Sequence, residues 1–239
     1  MTARLVGYRD GEVSLVGELY RPATPNGAGV LVVHEADGIG GNVRRRCALL
    51  AELGYVAFAA DLHGAGAPLE GEAMQRAVQG FLAEPQRLRE RTAAGLDALR
   101  AEGGLPAGRT AAIGYCFGGT AVLELARSGS DVTAVASFHG LLTTRAPAHP
   151  GAIRAKIAAF TGALDPLVPA ADVAAFQTEM AAAGADWQLS VYGNAWHSFT
   201  NKGVEGSPDT RMRYDPVADR LSWGAALAFL DEALNRPER

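Results

Sequence analysis

The sequence of 239 residues is poor in cysteine and has no long apolar run. Its two cysteines, Cys47 and Cys116, lie far apart in different predicted elements, which excludes a disulfide framework and is typical of a reducing compartment. The opening segment, 1–13, lacks the apolar core of a secretory signal. No apolar run approaches the roughly 18 residues that a membrane helix requires. We therefore expect a soluble, cytoplasmic protein without a membrane partner.

Positive charge is also scarce, since the formal net charge is −4 and no lysine-rich stripe is present. Nucleic-acid-binding proteins usually carry a basic patch, so we expect no nucleic-acid partner. The arginines at 44–46 and 87–91 lie in helical stretches, and we interpret them as solvated helix faces. Neither an internal repeat nor a linker of different composition interrupts the chain. We expect one α/β domain over residues 1–239, as a monomer or homodimer.

Short apolar runs alternate with helical stretches along the chain. The predicted strands are 12–20, which would begin the sheet, 29–36, 55–64, 109–116, 131–140, 155–165 and 187–193. The predicted helices are 42–54, 72–83, 85–102, 117–128, 171–184 and 216–234. This alternation predicts a mostly parallel central sheet with helices on both faces. The irregular stretch 199–215 is long for a plain connection, and such loops are often functional.

Polar side chains follow several of these strands, at the edge of the sheet where ligands bind in parallel folds. They are His34, Glu35, Asp61, His63, Cys116, His139, Asp165 and His197. Three of them, Cys116, Asp165 and His197, follow the chain order nucleophile, acid, base that is typical of α/β-hydrolases. The sequence therefore predicts a catalytic triad at this edge.

The stretch IGYCFGG, 113–119, predicts a nucleophile elbow with Cys116 at its tip. Its glycines provide the small neighbours that a strained turn needs, and a thiol at a helix N-terminus beside a histidine ionises readily. We expect His197 to act as base and then acid, and Asp165 to fix its tautomer. The backbone N–H groups of Phe117 and Ala36 would form the oxyanion hole.

Some of these residues have simpler interpretations. Asp165 could initiate a turn before Pro166, and His197 could be a packed loop histidine. Cys47 lies in a helical apolar pattern and is interpreted as an inert buried residue. Glu35 could form a structural salt bridge, or it could take the thiol proton when substrate is bound.

Six motifs carry a resemblance that runs from about residue 10 to 234. They are HEADGIG (34–40), DLHG (61–64), GYCFGG (114–119), SFHG (137–140), TGALDPLVP (161–169) and YGNAWHSF (192–199). In this order and spacing, the sequence resembles the dienelactone hydrolase family of α/β-hydrolases. That resemblance implies hydrolysis of a small-molecule ester or lactone by a Cys-His-Asp triad, Cys116, Asp165 and His197, with no cofactor and no metal. It also implies that Glu35 helps to switch the thiol to thiolate as substrate arrives.

The sequence departs from the family at the substrate-binding positions. Family members that cleave dienelactone carry arginines for the substrate carboxylate, one of them shortly after the histidine of H-x-F. Asn201 and Lys202 stand there instead, and a lysine offers a point charge without a bidentate fork. The residues that we expect to contact substrate are His63, His139, Trp196 and Lys202. Arg76 and Arg87 lie in helices where a second carboxylate-binding arginine could sit.

Three other functions remain open from the sequence. The pair Glu35 and Cys116 resembles the DJ-1 family, whose members act on aldehydes or sense oxidants. A metal-dependent hydrolase could use His34, Asp61, His63 and His139 as ligands. A fold without activity could serve as a binding module.

Overall fold

A computed structural model of the protein describes residues 3–106 and 108–235, and its described strands form one eight-stranded sheet. The strands are β1 (Arg4–Asp10), β2 (Val13–Tyr20), β3 (Gly29–Val33), β4 (Val56–Ala60), β5 (Thr110–Tyr115), β6 (Ala134–Phe138), β7 (Lys156–Gly162) and β8 (Trp187–Tyr192). Their order is β1-β2-β4-β3-β5-β6-β7-β8. Among the described strands, the pairs β1–β2 and β2–β4 are antiparallel and the other five pairs are parallel, so the prediction of a mostly parallel sheet is confirmed.

Helices cover both faces of this sheet, as predicted. They are α1 (Gly41–Glu52), α2 (Gly71–Ala83), α3 (Pro85–Gly103), α4 (Phe117–Arg127), α5 (Ala170–Ala183) and α6 (Pro216–Asn235). Alternate residues of β3 point to opposite faces because side chains alternate along a strand. Val30 and Val32 belong to the core beneath α1 and α6, whereas Leu31 and Val33 belong to the core beneath α2 to α5. The carboxyl ends of the parallel strands thus meet at one edge.

The expectation that residues 12–20 begin the sheet is wrong, because β1 precedes them. β1 pairs with β2 from Arg4↔Leu19 to Asp10↔Val13. It is the edge strand, and Val6 is its one buried residue. A strand with so little buried surface lacks the alternating apolar pattern from which strands are recognised.

The interpretation of the arginine clusters as solvated faces holds for the exposed Arg44, Arg45 and Arg87 but is wrong for Arg46 and Arg91. The Arg46 side chain is 1% exposed, pairs with Asp219 of α6 and stacks over the Trp223 ring. Arg91 is 3% exposed and donates to the Asp10 carboxylate at 2.6 Å. A guanidinium can be buried in this way because its planar donors are matched by a carboxylate and its face by an aromatic ring. Arg46 thus joins α1 to α6, and Arg91 joins α3 to β1.

Within residues 3–106 and 108–235, the structure contains no helix with both the length and the apolar character needed to cross a bilayer.

We expect Asp219→Ala to lower the free energy of unfolding by about 3–5 kcal/mol, because it leaves the buried Arg46 guanidinium without its counter-ion. Urea unfolding measures this change. Glu72→Ala is the matched control, since Glu72 is also a first-turn carboxylate of a helix but pairs with Arg76 at the surface. It should cost less than about 1 kcal/mol. Equal losses in the two variants would contradict the assignment.

Candidate active site

The turn between β5 and α4 is as tight as a strand-to-helix connection can be. Cys116 is its single connecting residue, with φ +54° and ψ −117°. This φ is rarely adopted by residues other than glycine. A Cβ at Gly114 would lie 2.0 Å from the Gly118 carbonyl oxygen, so no larger residue fits between strand and helix. The side chain of Cys116 therefore stands at the tip of an elbow.

The neighbouring glycines hold the start of α4 against two other strands. A Cβ at Gly118 would lie 2.3 Å from the Val33 carbonyl oxygen of β3. A Cβ at Gly119 would lie 2.9 Å from the Cα of Gly140, which follows β6. Because these contacts are between backbones, the position of Cys116 relative to the sheet cannot relax.

The structure brings Cys116, Asp165 and His197 together. Asp165 follows β7 and His197 follows β8. The His197 Nε2 atom lies 3.1 Å from the Cys116 Sγ atom, and its Nδ1 atom lies 2.8 Å from the Asp165 Oδ2 atom. The other oxygen of Asp165 accepts from the backbone N–H of Leu167 at 2.8 Å, which orients the carboxylate.

Charge at His197 is favoured by this arrangement. Burial by itself lowers the pKa of the imidazole, but the Cys116 thiolate and the Asp165 carboxylate outweigh it and raise the pKa to about 10. The protonated form of the ring is therefore favoured, with its Nδ1–H donated to Asp165.

The two N–H groups that the sequence assigns to an oxyanion hole are free of protein acceptors among the described residues. They belong to Phe117, the first residue of α4, and to Ala36, which follows β3. His63 supports both: its Nε2–H donates to the Ala36 carbonyl at 2.8 Å, and its ring stacks on Phe117 with centroids 6.2 Å apart. His63 thus contacts both of the residues that carry these donors.

Glu35 lies buried close to the triad, but its contacts differ from both sequence interpretations. Its Oε1 atom accepts from the amides of Asn42 at 2.7 Å and Asn201 at 3.2 Å. The salt-bridge alternative is wrong, because no cation pairs with Glu35 in the described part of the chain. No hydrogen bond joins it to Cys116 there either, so the DJ-1-like alternative lacks its central contact. Burial raises the pKa of Glu35 to about 7, against the hydrogen bond from Asn42. Its transfer of the thiol proton stays a prediction.

The His139 side chain has no surface that a substrate could contact, which corrects the sequence-based expectation. It is fully buried. Its Nδ1 atom accepts from the backbone N–H of Cys116 at 3.1 Å, and its Nε2–H donates to the Thr200 hydroxyl at 2.8 Å. His34 is equally buried and accepts from the backbone N–H of Leu62. Both histidines are satisfied internal groups.

Asp61 organises a loop in place of binding a metal. Its carboxylate accepts four backbone N–H groups, those of Val16, His63, Gly64 and Gly66, at 2.8–3.0 Å. In residues 3–106 and 108–235 no three His, Cys, Asp or Glu side chains are arranged to hold a metal ion. The residues proposed as metal ligands thus form hydrogen bonds within the protein. They are His34, Asp61, His63 and His139.

Two cavities open on the described part of the molecule, and neither is lined by Cys116, Asp165 or His197. The larger, of about 490 Å³, is lined among others by Glu35, Arg45, Lys202 and Met212. Residues of the stretch 199–215 thus line a pocket, and the functional role of this stretch stays a prediction. The smaller, of about 240 Å³, is lined by His63, Phe81, Arg76, Arg87, Arg91 and neighbours. His63 and Lys202 therefore line cavities that a substrate could enter. Arginine side chains also line both cavities.

The segment 209–213 contributes charged groups that sequence reasoning missed. The backbone N–H of Arg213 donates to the His197 carbonyl at 3.0 Å, which fixes the segment beside the triad. Arg211 donates two hydrogen bonds, of 2.9 and 2.6 Å, to the Asp209 carboxylate. They lower the pKa of Asp209 to about 2. The guanidinium of Arg213 lies 5.1 Å from the centre of the half-buried Trp196 ring. These residues follow no spacing motif, so only the folded chain reveals them.

Comparisons with known proteins identify the family and the fold of this chain. The family model described as Dienelactone hydrolase family matches residues 15–234. A dienelactone hydrolase-like promiscuous phosphotriesterase from metagenomic libraries is 35% identical in its solved structure, with a TM-score of 0.89 over 97% of this chain and 98% of that one. A solved structure named m3DLH is 38% identical, with a TM-score of 0.91 and the same coverage.

A more distant relative comes from Bradyrhizobium sp and is named "Probable 2-oxo-3-(5-oxofuran-2-ylidene)propanoate lactonase". It is 26% identical over 213 residues, which cover 84% of this chain and 82% of the relative. Because the family model spans most of the sequence and the solved relatives share its fold along nearly their whole length, the chain belongs to the dienelactone hydrolase family of ester and lactone hydrolases.

Proposed function

We propose that this hydrolase cleaves a small-molecule ester or enol-lactone by nucleophilic attack of Cys116, through a thioester acyl-enzyme and without a cofactor. The observation that carries the proposal is the continuous set of contacts from Sγ to His197, 3.1 Å, and from His197 to Asp165, 2.8 Å, at a strained elbow. Nucleophile, base and orienting acid at such distances are the arrangement that covalent acyl transfer requires.

In the first step the Cys116 thiolate attacks the substrate carbonyl carbon, and the carbonyl electron pair moves onto oxygen. The N–H groups of Ala36 and Phe117 lie ready to stabilise that oxyanion, and donors of this kind each contribute about 2.7–4 kcal/mol. His63 lies beside both donors, since it contacts the Ala36 carbonyl and the Phe117 ring.

In the second step the tetrahedral intermediate expels the alcohol, which takes the proton from His197 Nε2, and a thioester remains on Cys116. Water then attacks the thioester while His197 accepts its proton, and the thiolate leaves. In a lactone the leaving oxygen stays tethered and can reclose the ring. An enol leaving group ketonises instead, which favours enol-lactones and activated esters as substrates.

Cations line both cavities and could bind an anionic substituent, although Glu35 and Asp37 also line the larger one. Lys202 and Arg45 line the larger cavity, and Arg76 and Arg87 line the smaller one together with His63. The name of the Bradyrhizobium relative specifies a lactone with a propanoate group. We therefore propose a carboxylated ester or lactone as substrate, bound between His63, Trp196 and Lys202.

We expect Cys116→Ala to lower kcat for 4-nitrophenyl acetate by about 1,000-fold or more, because no other nucleophile lies at the elbow. Asp165→Asn should lower it by up to about 10,000-fold, because His197 then adopts the wrong tautomer. Release of 4-nitrophenol measures both. The matched control is Cys47→Ala, since that thiol is buried in α1 away from the triad and its loss should leave kcat unchanged. Turnover by Cys116→Ala at the wild-type rate would refute the proposal.

The raised pKa of Glu35 makes stability depend on pH. Its carboxyl titrates at about 7 in the folded protein, against an ordinary value of 4.5. Between these values the folded state binds more protons than the unfolded state, so Glu35 lowers the free energy of unfolding as pH rises. We expect Glu35→Gln to gain stability relative to the wild type between about pH 5 and about pH 8. Urea unfolding at both pH values measures it, with the exposed Glu72→Gln as control. A pH-independent difference would show that Glu35 titrates normally.

A further inference from the structure

The backbone of Cys116 is held by a buried side chain that takes no part in the proposed reaction. His139 follows β6, is fully buried, and has φ +41°. Its Nδ1 atom accepts from the Cys116 N–H at 3.1 Å, and the same N–H also donates to the Phe138 carbonyl at 3.0 Å. The strained residue at the elbow is thus fixed from two sides.

These contacts define the tautomer of His139. A ring nitrogen that accepts a hydrogen bond carries no hydrogen, so the hydrogen of the neutral ring lies on Nε2. Nε2–H then donates to the Thr200 hydroxyl at 2.8 Å. Thr200 is fully buried and follows closely after His197 in the chain. A chain of two hydrogen bonds therefore joins the nucleophile's backbone to the segment that carries the base.

The surroundings of His139 leave it no alternative position or charge. Its ring packs edge-to-face on His197 and on Phe199, with centroids 5.3 and 5.2 Å away. Burial, together with the charge of His197, lowers the pKa of His139 well below its ordinary value. The far end of the chain is fixed as well, because the Thr200 carbonyl accepts from Arg46, which is itself buried against Asp219.

We propose that neutral His139 is a positioning residue, which holds the Cys116 elbow and the His197 segment in one frame and so sets the separation of Sγ and Nε2. Strained backbone persists only where its surroundings over-determine it, and the hydrogen bond from Cys116 to His139 is one of these constraints. An error of about 1 Å between reacting groups costs up to about 100-fold in rate. The expected effect of His139 on kcat rests on the proposed function. Its expected effect on the reactivity of the Cys116 thiol does not.

Paired variants of Thr200 and His139 test this role. Thr200→Val keeps the shape of the side chain but cannot accept from His139, and Thr200→Ser restores the hydroxyl. We expect Thr200→Val to lower kcat for 4-nitrophenyl acetate between about 10- and 100-fold, with KM changed by less than about 3-fold, and Thr200→Ser to recover most of the loss. His139→Phe removes both hydrogen bonds and should lower kcat further. Thr161→Val is the matched control, because the Thr161 hydroxyl is buried without a partner among the described residues.

A second measurement separates this inference from the proposed function. The rate at which iodoacetamide alkylates Cys116, followed against pH in a Cys47→Ala background, reports how well His197 stabilises the thiolate. In Thr200→Val and His139→Phe that profile should move to higher pH, because a displaced His197 stabilises the thiolate less. This shift in a protein that hydrolyses no ester would disprove the proposed function and leave the role of His139 standing. Wild-type kcat and an unshifted profile in folded Thr200→Val would overturn that role, even if His139→Phe fails to fold. A loss of kcat in Thr200→Ser equal to that in Thr200→Val would also overturn it.

Discussion

Close packing of backbone on backbone, where α4 begins, is the constraint on which the rest of the site depends. Gly114 and Gly118 leave no room for a Cβ between β5, α4 and β3, so the chain must reverse at a single residue. That residue, Cys116, is forced into a positive φ, which directs its side chain away from the sheet. The same reversal places the first N–H groups of α4 directly behind the thiol, where the oxyanion of an acyl transfer would form.

Buried polar groups extend this constraint across the molecule. From Asp219 on α6, contacts pass through Arg46 on α1 to Thr200, then to His139 and the backbone of Cys116. Each of these groups would be costly to bury alone, and each is matched by its neighbour. Hydrophobic packing holds the helices on the sheet, whereas this polar chain fixes the relative position of nucleophile and base. A displacement of any group in this polar chain would therefore change the position of the Cys116 Sγ atom relative to His197.

Much of this organisation is predictable from the sequence, because strong periodic patterns and glycine placement are local signals. The parallel strands, the elbow and the proximity of Cys116, Asp165 and His197 all follow from them. The edge strand β1 was not predicted, since it buries too little surface to show a pattern. The role of Arg46 was mistaken because a counter-ion on α6 is distant in sequence. His139 and the two asparagines at Glu35 depend on partners from other elements, and no spacing in one sequence reveals such pairs.

The central claim is that Cys116 becomes covalently acylated during turnover. Acid-quenched intact mass spectrometry of the wild type during hydrolysis of 4-nitrophenyl acetate tests it most directly, with peptide mapping to locate the adduct. Our account predicts a mass increase of one acetyl group, carried by the peptide that contains Cys116 and lost as substrate is exhausted. Steady turnover with no adduct at any quench time, or an acetyl group on another residue, would contradict it.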